Sequence, residues 1–155
     1  MTLWIDWRVD PPEGVDDALV ARCVDAALTE GGRAGTPLSV VFVDDDTLAR
    51  LHGETLGDPS PTDVMSFDLS DEFEPTHPPS PQGEVVVSVD RARDVASRRS
   101  VSPARETCLY VVHGVLHLCG HDDHDDADRA RMRRAEAVVM RSLGFDDDPS
   151  PHDAD

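Results

Sequence analysis

The stretch Cys108-Leu-Tyr-Val-Val-His113-Gly-Val-Leu-His117-Leu-Cys-Gly120 decides the architecture of this chain. An apolar run precedes His113 and no proline interrupts the pattern before Gly120, which is typical of a helix buried in a protein core. His113 and His117 are four residues apart, so on a helix they share one face at about 5–6 Å between Cβ atoms. We therefore expect a central, buried helix that carries a functional site.

Further metal-binding side chains follow Gly120, where a glycine lets the helix end and the chain turn. Asp122, Asp123 and His124 come within seven residues of His117. Two imidazoles and a carboxylate suit a tetrahedral Zn²⁺ ion with one position left open for chemistry, although Fe(II), Ni(II) or Mn(II) accept the same ligands. The simpler alternative is a pair of core histidines bonded to the backbone, followed by an acidic strip that only caps the next helix.

The rest of the sequence predicts an α+β fold. Its patterns indicate four strands, at residues 3–7, 38–43, 63–69 and 83–89. They also indicate about five helices, at residues 15–28, 45–52, 90–99, from 102 through the histidine pair, and 126–143. We expect a single mixed, partly parallel four-stranded sheet covered by these helices. Residues 1–145 should form one domain, with a loop at 70–82 and a disordered acidic tail at 146–155.

Composition bounds the setting in which the protein works. The net charge is −18, and all fourteen basic residues are arginine. Such acidity indicates either a protein that avoids polyanions or one adapted to concentrated salt, where the Debye length falls to about 3 Å. The three cysteines suit reduced thiols, and the sequence shows neither a signal peptide nor a transmembrane stretch, so we expect a cytoplasmic protein.

Three blocks of sequence resemble one known family. His113-Gly-Val-Leu-His117-Leu-Cys-Gly120-His121-Asp-Asp123 is similar to the pattern H-G-x-L-H-L-x-G-[YF]-x-H of the YbeY-type endoribonucleases. Pro61-Thr-Asp-Val-Met-Ser-Phe67 resembles their P-T-D-V-L-S-F block, and Gly83-Glu-Val-Val-Val87 resembles their G-[DE]-hydrophobic strand. The last helix, with Met132 and Glu136, is similar too, so the resemblance runs in order over residues 38–145.

The resemblance implies a zinc-dependent endoribonuclease domain that cleaves single-stranded RNA. In this family the activity serves 16S rRNA 3′-end maturation and ribosome quality control, so the implied partner is rRNA of the small ribosomal subunit. One Zn²⁺ per chain would be held by His113, His117 and Asp123, because Asp123 falls where the family usually has its third histidine. A one-residue shift of the turn would use His124 instead. His121 replaces the family's aromatic residue and should pack or cap.

Some roles stay open. Leu56 occupies the position of the family's usual catalytic arginine, so the resemblance assigns no catalytic side chain. Thr62, Asp63 and Ser66 either line the substrate cleft or only bond the turn in which they lie. Glu106, two helical turns before His113, either supports the site from behind or makes a surface cap.

Two clusters of arginines have two possible roles. Each cluster either binds RNA phosphates or forms ion pairs with nearby aspartates. Their members are Arg91, Arg93, Arg98, Arg99 and Arg105, and then Arg129, Arg131, Arg133 and Arg134. Two other functions remain possible, namely a ribosome assembly factor that binds without cutting and a metal-dependent hydrolase of another phosphoester.

Overall fold

The computed structural model describes residues 2–56, 63–69, 80–122 and 124–145. The tail at 146–155, most of the expected loop (70–79), Thr62 and Asp123 lie outside these residues. Within the described ranges the elements are β1 (Leu3–Trp7), α1 (Asp17–Glu30), β2 (Leu38–Val43), α2 (Asp45–Leu56), β3 (Val64–Asp68), β4 (Gly83–Ser88), α3 (Val89–Arg99), α4 (Pro103–Leu118) and α5 (Asp126–Ser142).

The four strands form one mixed sheet in the order β1-β2-β4-β3. The three strands β1, β2 and β4 are parallel, and β3 runs antiparallel to β4 at one edge. Each parallel step needs a crossover connection, and α1 supplies the one between β1 and β2. The predicted α+β fold with a partly parallel sheet is confirmed.

Alternating residues of the strands pack into two separate hydrophobic cores, because successive strand side chains point to opposite faces of the sheet. On one face Val40, Phe42, Val85 and Val87 join the main core with α1, α4 and α5. On the other face a smaller core includes Val41, Val43, Met65 and Val86, together with Leu48 of α2. All six residues of β2 are buried, which explains why its sequence is a continuous apolar run rather than an alternating one.

Several helix boundaries differ slightly from the expected ones; α1, for example, spans Asp17–Glu30 rather than 15–28. The last predicted residue of the fourth strand, Val89, begins α3 instead, because the Ser88 hydroxyl accepts a hydrogen bond from the Arg91 backbone N–H and caps the helix. The second helix continues to Leu56, four residues past the predicted end at His52.

Helix α4 lies at the centre of the main core, as predicted. Ser102 caps its first turn, Pro103 occupies its first position, and every residue from Arg105 to Leu116 is buried. The helix ends at Leu118, and two residues later Gly120 has a φ of +101°, the left-handed conformation that glycine adopts most easily. No helix in the described ranges is both long and apolar enough to cross a membrane.

Gly114 lets α4 lie unusually close to the sheet. A Cβ atom at this position would be 2.5 Å from Val85 Cγ1 and 3.1 Å from both Ser66 Oγ and Val64 Cγ2. The Ser66 hydroxyl also donates a 2.9 Å hydrogen bond to the Gly114 carbonyl oxygen. The absence of a side chain at Gly114 therefore sets the distance between the helix and strands β3 and β4.

Replacing Gly114 with alanine should push α4 away from the sheet. Alanine is the better helix former, yet its Cβ atom would clash with the buried Val85 side chain, so we expect a net loss of about 1–3 kcal/mol in the free energy of unfolding. Urea denaturation followed by circular dichroism measures this loss. Ser97→Ala, on the exposed face of α3, should stay within about 0.5 kcal/mol of the parent. A Gly114→Ala protein as stable as its parent would contradict the packing argument.

Candidate metal centre

His113 and His117 lie one turn apart near the end of α4. Their ring centroids are 6.3 Å apart, and the ring planes differ by 23°. His113 is only 9% exposed, whereas His117 is open to solvent. The helix thus brings the two predicted imidazoles side by side, one held in the protein and one at its surface.

Glu136 of α5 fixes the orientation of the buried ring. Its Oε2 atom is 2.6 Å from His113 Nδ1, and the carboxylate is almost fully buried. A carboxylate accepts, so Nδ1–H donates to it, and Nε2 lies on the far side of the ring. Sequence reasoning noted Glu136 only as part of the family resemblance. The missing signal was the pairing of α4 with α5.

The third predicted ligand is not placed by this structure, because Asp123 lies outside the described residues. His124, the alternative, is highly exposed, with Nε2 3.1 Å from Asp122 Oδ2. His121 caps α4 through its backbone, whose N–H donates to the Leu116 carbonyl oxygen. Within the described ranges, no three histidine, cysteine or acidic side chains are grouped so that they could hold a metal ion.

The donors that are described suit a transition metal. A ligating histidine usually donates its second ring N–H to a carboxylate, which fixes its tautomer and raises its basicity. Glu136 and His113 make this contact, at 2.6 Å. The His113 and His117 rings, 6.3 Å apart, would be the two imidazoles to hold such an ion.

The residues predicted to line a substrate cleft have different surroundings. Thr62 lies outside the described residues, and Asp63 is buried just before β3. The hydroxyl of Ser66 bonds to the backbone of α4 at Gly114, next to His113. Ser66 therefore anchors the histidine-bearing helix to the sheet, a role that neither the cleft nor the turn interpretation foresaw.

Glu106 belongs to a buried charge cluster rather than to the surface, so the surface-cap interpretation is wrong. Its Oε1 atom accepts from Arg105 Nη1 at 2.8 Å and from Arg99 Nη1 at 3.3 Å, which ties the end of α3 to the start of α4. Tyr110 lies one turn further along α4. Burial raises the pKa of its phenol, and the negative charges of Asp63 and Glu106 raise it further.

Ion pairing accounts for most of the first arginine cluster and part of the second. Arg98 pairs with Asp94 at 3.2 Å, and Arg91 lies 3.9 Å from Asp45. On α5, Arg129 pairs with Asp126 and Arg131 with Asp128. These aspartates occupy the guanidinium groups that the sequence offered as phosphate ligands.

The protein is therefore an α+β protein with an open polar centre on its core helix. That helix packs closely on a mixed open sheet at Gly114 and carries a histidine pair, one ring of which contacts a buried carboxylate. The sequence of the chain gives the family. The family model described as "Endoribonuclease YbeY" matches residues 12–144, and the chain belongs to that family.

Curated relatives agree with this assignment over most of their length. The chain is 39% identical over 151 residues to endoribonuclease YbeY of Chloroflexus aggregans, covering 94% of this chain and 99% of that protein. It is 39% identical over 145 residues to endoribonuclease YbeY of Rhodopirellula baltica, covering 88% of this chain and 72% of the relative. The solution structure of TM1509 from Thermotoga maritima shares the fold, with a TM-score of 0.58, 20% identity, and 92% and 89% of the two chains covered.

Removing Glu106 should destabilise the protein strongly. Glu106→Ala leaves two arginines, one of them with a side chain only 7% exposed, without their shared carboxylate. Because both guanidinium groups lose a buried carboxylate to which they donate, we expect a loss of about 3 kcal/mol in the free energy of unfolding, measured by urea denaturation. Glu30→Ala, exposed at the end of α1, is the matched control and should change stability little. Equal stability of the two variants would show that the cluster contributes nothing.

Proposed function

We propose that this protein is a metal-dependent endoribonuclease that cleaves single-stranded RNA, with Zn²⁺ as its ion. The family supports hydrolysis of RNA, since its curated members carry the name endoribonuclease. The observation that supports metal binding is the 2.6 Å contact between Glu136 and His113, which orients the His113 ring so that its other nitrogen can act as a ligand. His113, His117 and Asp123 are the proposed ligands, and His124 is the alternative to Asp123.

Three residues position the two imidazoles. Glu136 holds the His113 tautomer, and Ser66 and Gly114 hold the helix on which both imidazoles stand. When bound, a divalent ion of this kind lowers the pKa of a water molecule toward about 7 and stabilises charge on phosphate oxygens. The exposed side of His117 leaves the centre open to a strand of RNA.

In the cell, we propose a role in 16S rRNA 3′-end maturation and ribosome quality control in the cytoplasm, where ribosomes are assembled. The support is family resemblance. The strongly acidic surface, with a net charge of −18, means that partner proteins or high salt must help the enzyme to approach RNA.

A second candidate is a metal-stabilised assembly factor that binds the small ribosomal subunit without cutting. Two observations favour it: Leu56 replaces the family's usual arginine, and several other arginines are paired with acidic groups. Hydrolysis of a different phosphoester is a third reading, favoured by the same substitution at Leu56.

His117→Ala should remove both metal and cleavage. Purified parent protein should contain about one metal ion per chain by mass spectrometry and should cut single-stranded rRNA fragments in a chelator-sensitive manner. His117→Ala should do neither, and His52→Ala on α2 serves as the control. Asp123→Ala and His124→Ala, tested in parallel, identify the third ligand by which of them loses the ion.

The outcomes of this experiment separate the candidates. Metal with RNA binding but no cleavage would favour the assembly factor. Cleavage that persists in His117→Ala or in chelator would overturn the proposed mechanism.

Glu136→Gln should weaken metal binding without unfolding the protein. The amide keeps the shape of the carboxylate but loses its charge, so the His113 ring becomes a poorer ligand. We expect an affinity about 10–100-fold lower, measured by competition with a chromophoric chelator. Asp126→Asn, an exposed change on the same helix, should leave the affinity unchanged. Equal affinities in the two variants would remove the orienting role of Glu136.

A further inference from the structure

The solvent-exposed face of α5 is basic, although the protein as a whole is strongly acidic. Aspartate and glutamate make up 32 of the 155 residues of the chain. Beyond its first residue, however, every exposed position of α5 is alanine, valine, serine or arginine. We call this surface the arginine face of α5, and its charged residues are Arg131, Arg134 and Arg141.

Two of these arginines are open to a further partner. Arg131 pairs with Asp128 of the same helix. Within the ranges that the structure describes, Arg134 and Arg141 form no ion pair. Because arginine keeps its positive charge at any physiological pH, each of these two guanidinium groups attracts an acidic group that can reach it.

Arg134, Val138 and Arg141 lie along one stripe of the helix, because residues at i, i+4 and i+7 share a face. With a rise of about 1.5 Å per residue, the two arginines are about 10 Å apart along the helix axis. Val138 lies between them and is 50% exposed. The arginine face therefore presents a positive charge, an apolar side chain and a second positive charge in a row.

The acidic tail, residues 146–155, has the complementary order of groups. Its sequence is Asp-Asp-Asp-Pro-Ser-Pro-His-Asp-Ala-Asp, so aspartates stand on both sides of two prolines. An extended, proline-containing chain rises about 3.1 Å per residue, which would place Asp148 and Asp153 about 15 Å apart. Because arginine side chains are long, aspartates at this spacing can meet both guanidinium groups of the stripe while the prolines lie over Val138.

The end of α5 redirects the chain close to Arg141. Gly144 has a φ of +95°, and the Phe145 N–H donates to the Met140 carbonyl oxygen at 2.9 Å. A left-handed glycine with this hydrogen bond is a common way to end a helix and change the direction of the chain. The acidic tail therefore begins within about one helical turn of Arg141.

We infer that the acidic tail docks on the arginine face of α5 and runs back along the helix. Its first three aspartates meet Arg141, its prolines contact Val138, and its last two aspartates meet Arg134. Each exposed ion pair is weak, but the covalent connection gives the tail an effective concentration in about the millimolar range. The tail thereby competes with any other polyanion for these arginines, whatever reaction the histidine pair supports.

Modification of arginine by phenylglyoxal, mapped by peptide mass spectrometry, tests this docking without any need for catalysis. Neutralising the first three aspartates should speed the reaction of Arg141 about threefold, because the tail no longer covers it. Neutralising the last two should do the same at Arg134. Arg22, exposed on α1, is the internal reference and should react at one rate throughout. The two tail variants are Asp146→Asn with Asp147→Asn and Asp148→Asn, and Asp153→Asn with Asp155→Asn.

A matched variant controls for the lost negative charge. Glu13→Gln, Asp25→Asn and Glu30→Gln together neutralise three exposed acidic residues outside the tail. This variant should keep the rates of the parent protein at Arg134 and Arg141. In about 1 M NaCl, where the Debye length falls to about 3 Å, the tail variants and the parent should also react alike.

Two results would overturn the docking of the tail. The first is equal reactivity of Arg134 and Arg141 in the parent and the tail variants at low salt. The second is the same acceleration in the control variant, which would make the effect one of net charge alone.

Added oligouridylate distinguishes the tail from RNA as the occupant of the arginine face. If the tail docks there, oligouridylate should protect Arg134 and Arg141 from phenylglyoxal more strongly in the tail variants than in the parent. Equal protection in all of these proteins would assign the arginine face to RNA and overturn the tail as its occupant. Faster reaction in the tail variants without any protection by oligouridylate would uphold the docking of the tail.

Discussion

The contact between α4 and the sheet at Gly114 is the constraint on which the rest of the structure depends. Because no side chain separates them, the helix backbone lies against Val85 and accepts a hydrogen bond from Ser66 of the edge strand. The same helix carries the histidine pair, so the position of the candidate metal centre relative to the sheet is set by van der Waals contact. A helix backbone packed directly on buried side chains has little room to shift, because protein interiors are close-packed.

Helix α4 is also where buried charge is concentrated, at two levels along its length. Near its start, Glu106 ties Arg99 of α3 to Arg105, and near its end His113 meets Glu136 of α5. Both contacts connect the core helix to a neighbouring helix through a carboxylate that is almost fully buried. The first joins α3 to the start of α4, and the second fixes the orientation of a histidine that we propose as a metal ligand. One helix thus combines a rigid anchor with an adaptable, solvent-facing end.

Local pattern was sufficient to predict most of the fold. The largely apolar run at 38–43 and the apolar helical stretch before His113 correctly indicated a fully buried strand and a buried helix, because burial on all sides favours apolar residues at most positions. The start of α4 at Ser102 and Pro103 could also be predicted, because capping depends only on neighbouring residues. The sequence could not show that Ser88 would end its strand early by capping α3, since that depends on competition between two local structures.

Predicting the site was harder because its contacts join distant parts of the chain. The i,i+4 spacing placed His113 and His117 together, but the partner of His113 is 23 residues away on a different helix. Glu106 and Ser66 were correctly singled out as unusual polar residues, yet their partners depend on how α3 and β3 pack against α4. Residue type and periodicity report burial and proximity within one element. They do not report which side chains meet across an interface.

The strand order has a consequence for how the chain acquires its structure during synthesis. The strand between β2 and β3 is β4, the last to be made, so the sheet cannot close until residue 88 has left the ribosome. The helix that covers the sheet follows later still, at residues 103–118. Until that segment has been made, the sheet lacks the helix at the centre of its main core, so folding of this domain depends on contacts that are distant in sequence.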